Sequence, residues 1–129
     1  TSVILCPRSN DKLEVGEAPW ALLKKSGVRL AIGTDSLASN DSLSLFDEMR
    51  FLLDRSSGVF TPAEVLAMAT TGGSSALSIP GGALVEGAPA DILALEIPET
   101  PAPLLAETII REGSIREIFV GGERLGDLL

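Results

Sequence analysis

Histidine and tyrosine are missing from these 129 residues, and cysteine and tryptophan occur once each. Without His the chain cannot by itself build the imidazole-rich sites that hold most catalytic zinc and iron ions, so any metal chemistry must borrow ligands from elsewhere. One thiol, Cys6, cannot close an internal disulfide. No basic start followed by an apolar stretch marks a secretion signal, and a cytoplasmic setting is expected. Basic residues are scarce: 10 Lys and Arg face 18 Asp and Glu, a net charge of -8 that repels phosphate backbones and anionic lipid. Nucleic acid and membrane surfaces are therefore not expected as partners. Long apolar runs are lacking too. The longest uncharged stretch, 65–85, is broken by Gly72, Gly73, Pro80, Gly81 and Gly82 and cannot be one membrane-spanning helix.

What remains, 45% hydrophobic and 22% charged residues, suits a folded domain of modest size. The run at 2–6, stopped by Pro7, and the run at 28–32 each read as a strand buried on both faces. Loop residues are expected after Pro7. Ala18, Trp20, Ala21 and Leu22 predict a short helix over 17–25, ended by Ser26-Gly27. Strand, helix and strand in this order make a parallel βαβ unit. Leu45, Phe46, Met49, Leu52 and Leu53 form the apolar stripe of a helix running to about Arg55, with Asp41 or Ser42 as its cap. Thr61-Pro62-Ala63-Glu64 combines an N-cap, Pro at the first helical position and Glu at N3, a capping box. A second short helix is expected around 74–78. The last third changes character: a strand at 91–97, a proline-rich connection at 98–103, and a β-hairpin at 115–125 around Gly121-Gly122. Strands apolar on both faces belong to sheets covered on both sides, which two strands cannot complete. Assembly with other chains, or a place at the C-terminal end of a longer protein, is expected.

In parallel α/β architectures functional side chains gather at the C-terminal ends of strands. Two such ends are visible, Cys6-Pro7-Arg8-Ser9-Asn10 and Gly33-Thr34-Asp35-Ser36. Asp35 either caps the next turn or holds a metal ion, and its residue type leaves both open. Arg8 either closes a salt bridge at the mouth of the site or contacts substrate. Glu48 is read as part of a solvated or polar-lined helix face.

These segments, with Ala38-Ser39-Asn40-Asp41, Phe46-Asp47-Glu48-Met49-Arg50, Thr70-Thr71-Gly72-Gly73-Ser74-Ser75 and Glu86-Gly87-Ala88-Pro89-Ala90-Asp91, resemble the amidohydrolase superfamily. The likeness is to its chlorohydrolase and nucleoside deaminase branch, and the Pro7-Arg8-Ser9-Asn10 form is similar to aminofutalosine deaminase-type members. The resemblance implies an α/β chain that is the C-terminal segment of a (β/α)8 TIM-type barrel. Residues 1–82 would hold strands seven and eight with the following helices, and 83–129 the C-terminal strands of a small antiparallel β-sandwich portion.

It also implies one divalent metal ion, zinc or iron, whose His ligands lie outside this chain. Asp35 would be both metal ligand and catalytic residue, taking a proton from the water that becomes metal-bound hydroxide and later delivering it to leaving ammonia. Arg8, Asn10 and Ser36 are the expected substrate-binding residues. The expected substrate is a 6-aminopurine nucleoside of aminofutalosine, methylthioadenosine or S-adenosylhomocysteine type, and the full-length protein is expected to be a homodimer. One carboxylate does not hold a catalytic zinc, so the isolated chain is expected to be inactive. Two rival readings are a cyclic amide hydrolase of hydantoinase or dihydroorotase type and a non-catalytic α/β assembly module.

Overall fold

The structure, a computed structural model, describes residues 1–127. Strand β1 (Ser2–Leu5) pairs in parallel with β2 (Arg29–Ile32), in the register Ser2 to Arg29 through Leu5 to Ile32. The Gly33 N–H extends the ladder by donating to the Leu5 carbonyl at 2.8 Å. Between the strands lie helices α1 (Pro7–Lys12) and α2 (Trp20–Lys25).

Three expectations are corrected here. Burial on both faces fails for β1: Leu5 is in the core, but Ile4 is 49% exposed. A two-stranded sheet leaves strand edges free and covers only part of its surface. The stretch after Pro7 is not a loop but α1, because Pro at a helix's first position lacks only an N–H that would be unpaired anyway. Helix α2 starts at Trp20 rather than near Glu17, just after Pro19.

Helix α3 (Leu45–Arg55) forms as its stripe predicts, burying Met49 and Leu52. Its N-cap is Ser44, with no side-chain bond, instead of Asp41 or Ser42. Helix α4 (Pro62–Ala67) carries the capping box: the Glu64 N–H donates to Thr61 Oγ1, and the Thr61 N–H donates to Glu64 Oε2. The chain then widens into a π-helical turn at Met68–Gly72 and tightens again into α5 (Gly73–Leu77). The turn lies directly on β2, where a Cβ on Gly72 would stand 2.4 Å from the Leu30 carbonyl oxygen, so only glycine allows that approach.

The C-terminal part is a three-stranded antiparallel sheet of β3 (Ile92–Glu96), β4 (Ser114–Val120) and β5 (Glu123–Arg124), with a bulge in β4 at Arg116, opposite the step from Ala94 to Leu95. Gly121 and Gly122, both at positive φ, make the tight turn between β4 and β5. An element that the sequence reading did not anticipate, helix α6 (Leu105–Glu112), separates β3 from β4. It packs against α3 and α4 and sends the fully buried Ile110 into a shared core with Leu5, Trp20, Ile32, Met49, Leu52, Phe60, Val65 and Met68. Arg50 Nε on α3 donates to the Ile110 carbonyl at 2.8 Å, and Arg111 pairs with Asp54 at 2.9 Å. Among the described residues, no helix is long and apolar enough to cross a membrane.

Candidate active site

Parallel pairing puts the C-terminal ends of β1 and β2 side by side, so α1 and the loop after β2 meet at one end of the sheet. Asp35 lies two residues beyond Gly33 in left-handed backbone, φ +58°. Asp tolerates that region better than most side chains, and such outliers concentrate at functional sites. Its carboxylate is exposed, yet one oxygen is committed: Oδ2 accepts from Ser9 Oγ at 2.9 Å and from Ser39 Oγ at 2.8 Å. Oδ1 accepts no side-chain hydrogen bond among the described residues. The Ser39 hydroxyl first, and the Ser9 hydroxyl next, hold the Asp35 carboxyl below the usual carboxylate range against a smaller opposing effect of desolvation. The group is therefore ionised at neutral pH, with one oxygen anchored and the other available for a proton or a cation.

The other expected site residues are placed differently. Arg8 turns its guanidinium toward α3, with Nη1 3.8 Å from Asp47 Oδ2 and 4.0 Å from Glu48 Oε1. That nitrogen is buried and has no hydrogen-bond partner among the described residues. Ser36 is exposed beside Asp35, and its carbonyl accepts from the Ser39 N–H at 3.0 Å. Asn10 is not brought to the Asp35 carboxylate but lines a neighbouring cleft with Cys6, Gly16, Trp20 and Phe51. The Cys6 thiol is pushed up chiefly by burial and secondarily by the Asp35 charge, which keeps it protonated.

Four further residues complete the arrangement, of which sequence reasoning gave Ser9, Ser39 and Asn40 no role. Ser9 and Ser39 hold Asp35, while Asn40 and Glu48 lie buried beneath the loops. Of the two surroundings expected for Glu48, a solvated face is corrected and a polar-lined one is found: its side chain is fully buried, accepting from Asn40 Nδ2 at 2.6 Å and from the Arg8 N–H at 3.1 Å. A signal was present, since Glu48 stands four residues before Leu52 and three after Leu45, inside the apolar stripe. Lys12 on α1 also reaches across to Asp41, holding that carboxyl below its ordinary range.

Among the described residues, no three His, Cys, Asp or Glu side chains converge to hold a metal ion. Asp35 fits a divalent cation as one oxygen ligand, through Oδ1, which accepts no side-chain hydrogen bond among the described residues. Catalytic zinc sites use three protein ligands.

The model of the amidohydrolase family matches residues 1–125. A 5-methylthioadenosine/S-adenosylhomocysteine deaminase of Haloquadratum walsbyi is 40% identical over 102 residues, covering 74% of this chain and 23% of the relative. Among solved structures, Helicobacter pylori aminofutalosine deaminase in complex with methylthio-coformycin matches 94% of this chain and 31% of its own at 30% identity and a TM-score of 0.85. An adenosine deaminase from Xanthomonas campestris with bound zinc gives a TM-score of 0.84 at 30% identity, covering 95% of this chain and 31% of that one. The chain belongs to the amidohydrolase family. It spans about a quarter to a third of the length of these relatives. The relatives' shared fold accounts for the parallel β1–β2 pair, although the described residues form no closed barrel.

Proposed function

We propose that this chain is the C-terminal portion of a metal-dependent aminohydrolase, in which β1 and β2 are the seventh and eighth strands of the barrel and β3–β5 belong to the adjoining β-sandwich. The reaction is replacement of the 6-amino group of a purine nucleoside by water, with release of ammonia. The observation that carries this reading is Asp35, an ionised carboxylate at the end of a parallel strand, held in left-handed backbone with one oxygen fixed by two hydroxyls.

The divalent cation, with ligands from outside this chain beside Asp35, would supply acidity to the attacking water, lowering its pKa from about 15.7 toward 7. Asp35 takes the proton that water gives up and delivers it to the departing amino nitrogen, acting first as general base and then as general acid. Ser9 and Ser39 hold the carboxylate still through both transfers. Arg8 and Asn10 on α1 and Ser36 on the loop after β2 would border the substrate, and the spare Nη1 donor of Arg8 suits a substrate carboxylate.

The similar protein named for methylthioadenosine and S-adenosylhomocysteine supports thioether nucleosides as substrates, and the aminofutalosine deaminase likeness supports a carboxylate-bearing nucleoside of the same class. The test is steady-state ammonia release by the full-length protein from methylthioadenosine, S-adenosylhomocysteine and aminofutalosine. Turnover of at least one is expected, falling on the order of 10² to 10⁴-fold in Asp35→Asn, the range of general acid–base catalysis. An Asp35→Asn enzyme with full metal content and wild-type turnover would overturn the assignment.

A further inference from the structure

Glu48 is a fully buried carboxylate inside the apolar stripe of α3, a place where Leu or Met would pack without the cost of desolvating a charge. Its two oxygens are used separately. Oε2 accepts from the Arg8 backbone N–H at 3.1 Å, and Oε1 accepts from Asn40 Nδ2 at 2.6 Å. The Arg8 guanidinium, 4.0 Å from Oε1, supplies compensating charge. Asn40 Nδ2 also donates to the Thr34 carbonyl at 2.8 Å, and Asn40 Oδ1 accepts from the Asp41 N–H at 2.9 Å, so the amide grips its loop at both ends.

The two residues that Glu48 holds are the sequence neighbours of the two that hold Asp35. Arg8 precedes Ser9, and Asn40 follows Ser39. We propose that Glu48 is the positioning residue of this site: it clamps α1 and the loop after β2 to α3, so that the Ser9 and Ser39 hydroxyls converge on one oxygen of Asp35 and leave the other free. This inference rests on the catalytic role proposed for Asp35. Glu48 itself touches no reacting atom. Its effect is on orientation, where a displacement of about 1 Å can cost on the order of 10²-fold in rate.

The experiment uses the full-length, metal-loaded protein with Glu48→Gln, which keeps shape but turns one acceptor into a donor, and Ser9→Ala/Ser39→Ala with and without Glu48→Gln. The expected result is a fall in kcat of roughly 10-fold or more for Glu48→Gln, with KM within about twofold, because orientation and not substrate grip is lost. In the double-serine background the same substitution should add almost nothing, since groups acting through one path are non-additive. A purely structural role predicts additive losses and overturns the proposal, as does wild-type kcat in a folded Glu48→Gln enzyme. Should Glu48→Gln fail to fold, Asn40→Ala breaks the same link from the other side and must show the same kcat and KM pattern. A crystal structure of the full-length variant decides independently of activity. At least one of the two serine contacts to Asp35 Oδ2 should lengthen beyond 3.5 Å, and both unchanged would overturn the clamp. If the wild-type protein deaminates no nucleoside, the proposed function fails while this structural arm still tests Glu48.

Discussion

At the scale of single residues, the site is organised around two carboxylates with opposite surroundings. Asp35 is exposed and ionised, with its two hydroxyl donors on one oxygen; Glu48 is buried and bonded to α1 and the loop after β2, which present those donors. Arg8 stands between them, its backbone on Glu48 and its guanidinium near Asp47 and Glu48. Whether its unbonded Nη1 also serves substrate is decided by a pair of nucleosides. S-adenosylhomocysteine carries a carboxylate and methylthioadenosine does not. In full-length Arg8→Ala, KM for S-adenosylhomocysteine should rise roughly 10-fold or more, the loss of one charged hydrogen bond being about 1.5–3 kcal/mol, while KM for methylthioadenosine stays nearly constant. Equal effects on both substrates would assign Arg8 to the support of Glu48 alone. The place of Asp35 was legible in the sequence because a strand followed by a small-residue loop isolates it; whether it caps the turn or holds a metal ion was not. Ser9 and Ser39 were not, because a hydroxyl's partner depends on which two loops meet in space, and that is set by the parallel register of β1 and β2.

At the scale of elements, local chemistry made some structure readable and tertiary contact overrode the rest. The capping box at Thr61 and Glu64 is wholly local and forms as read; the stripe of α3 and the two-glycine hairpin do as well. Helix α6 escaped notice because it follows a proline-rich stretch and carries the β-branched pair Ile109-Ile110, which favours strands in isolation. Burial of Ile110 against α3 and α4, with Arg50 on its carbonyl, decides for helix. The capping box also yields a test with a defined sign. Lys24 first, then the Thr61 N–H, hold the Glu64 carboxyl below its ordinary range. A carboxyl depressed on folding adds stability that is complete above its unfolded pKa and fades as pH falls through the folded value. Thr61→Ala should cost about 1 kcal/mol at pH 7, the usual worth of an N-cap. The advantage of wild type over Glu64→Gln in urea unfolding should be present at pH 7 and shrink below about pH 4, where a Glu near its unperturbed pKa of ~4.3 becomes protonated. A difference that grows on acidification would show that Glu64 acts through something other than its charge.

At the scale of the whole molecule, the proposed function requires more of the site than the described residues form. Among the described residues, the β1–β2 pair has no third strand, Ile4 is half exposed on it, and Asp35 belongs to no group of three side chains that could hold a metal ion. The relatives that match are about three to four times as long. On the proposed function, a carboxylate poised by two serines is a preformed part of a centre whose remaining ligands come from outside this chain. The consequence is a split in metal binding that does not depend on knowing the substrate. The full-length protein should retain about one equivalent of divalent metal per chain after dialysis, as a three-ligand catalytic site would. Residues 1–129 produced alone should retain none and release no ammonia from any of the three nucleosides. Elemental analysis after gel filtration measures the first and coupled ammonia detection the second. Stoichiometric zinc on residues 1–129 would mean that the chain completes a metal site by itself, and the division of labour argued from Asp35 would not stand.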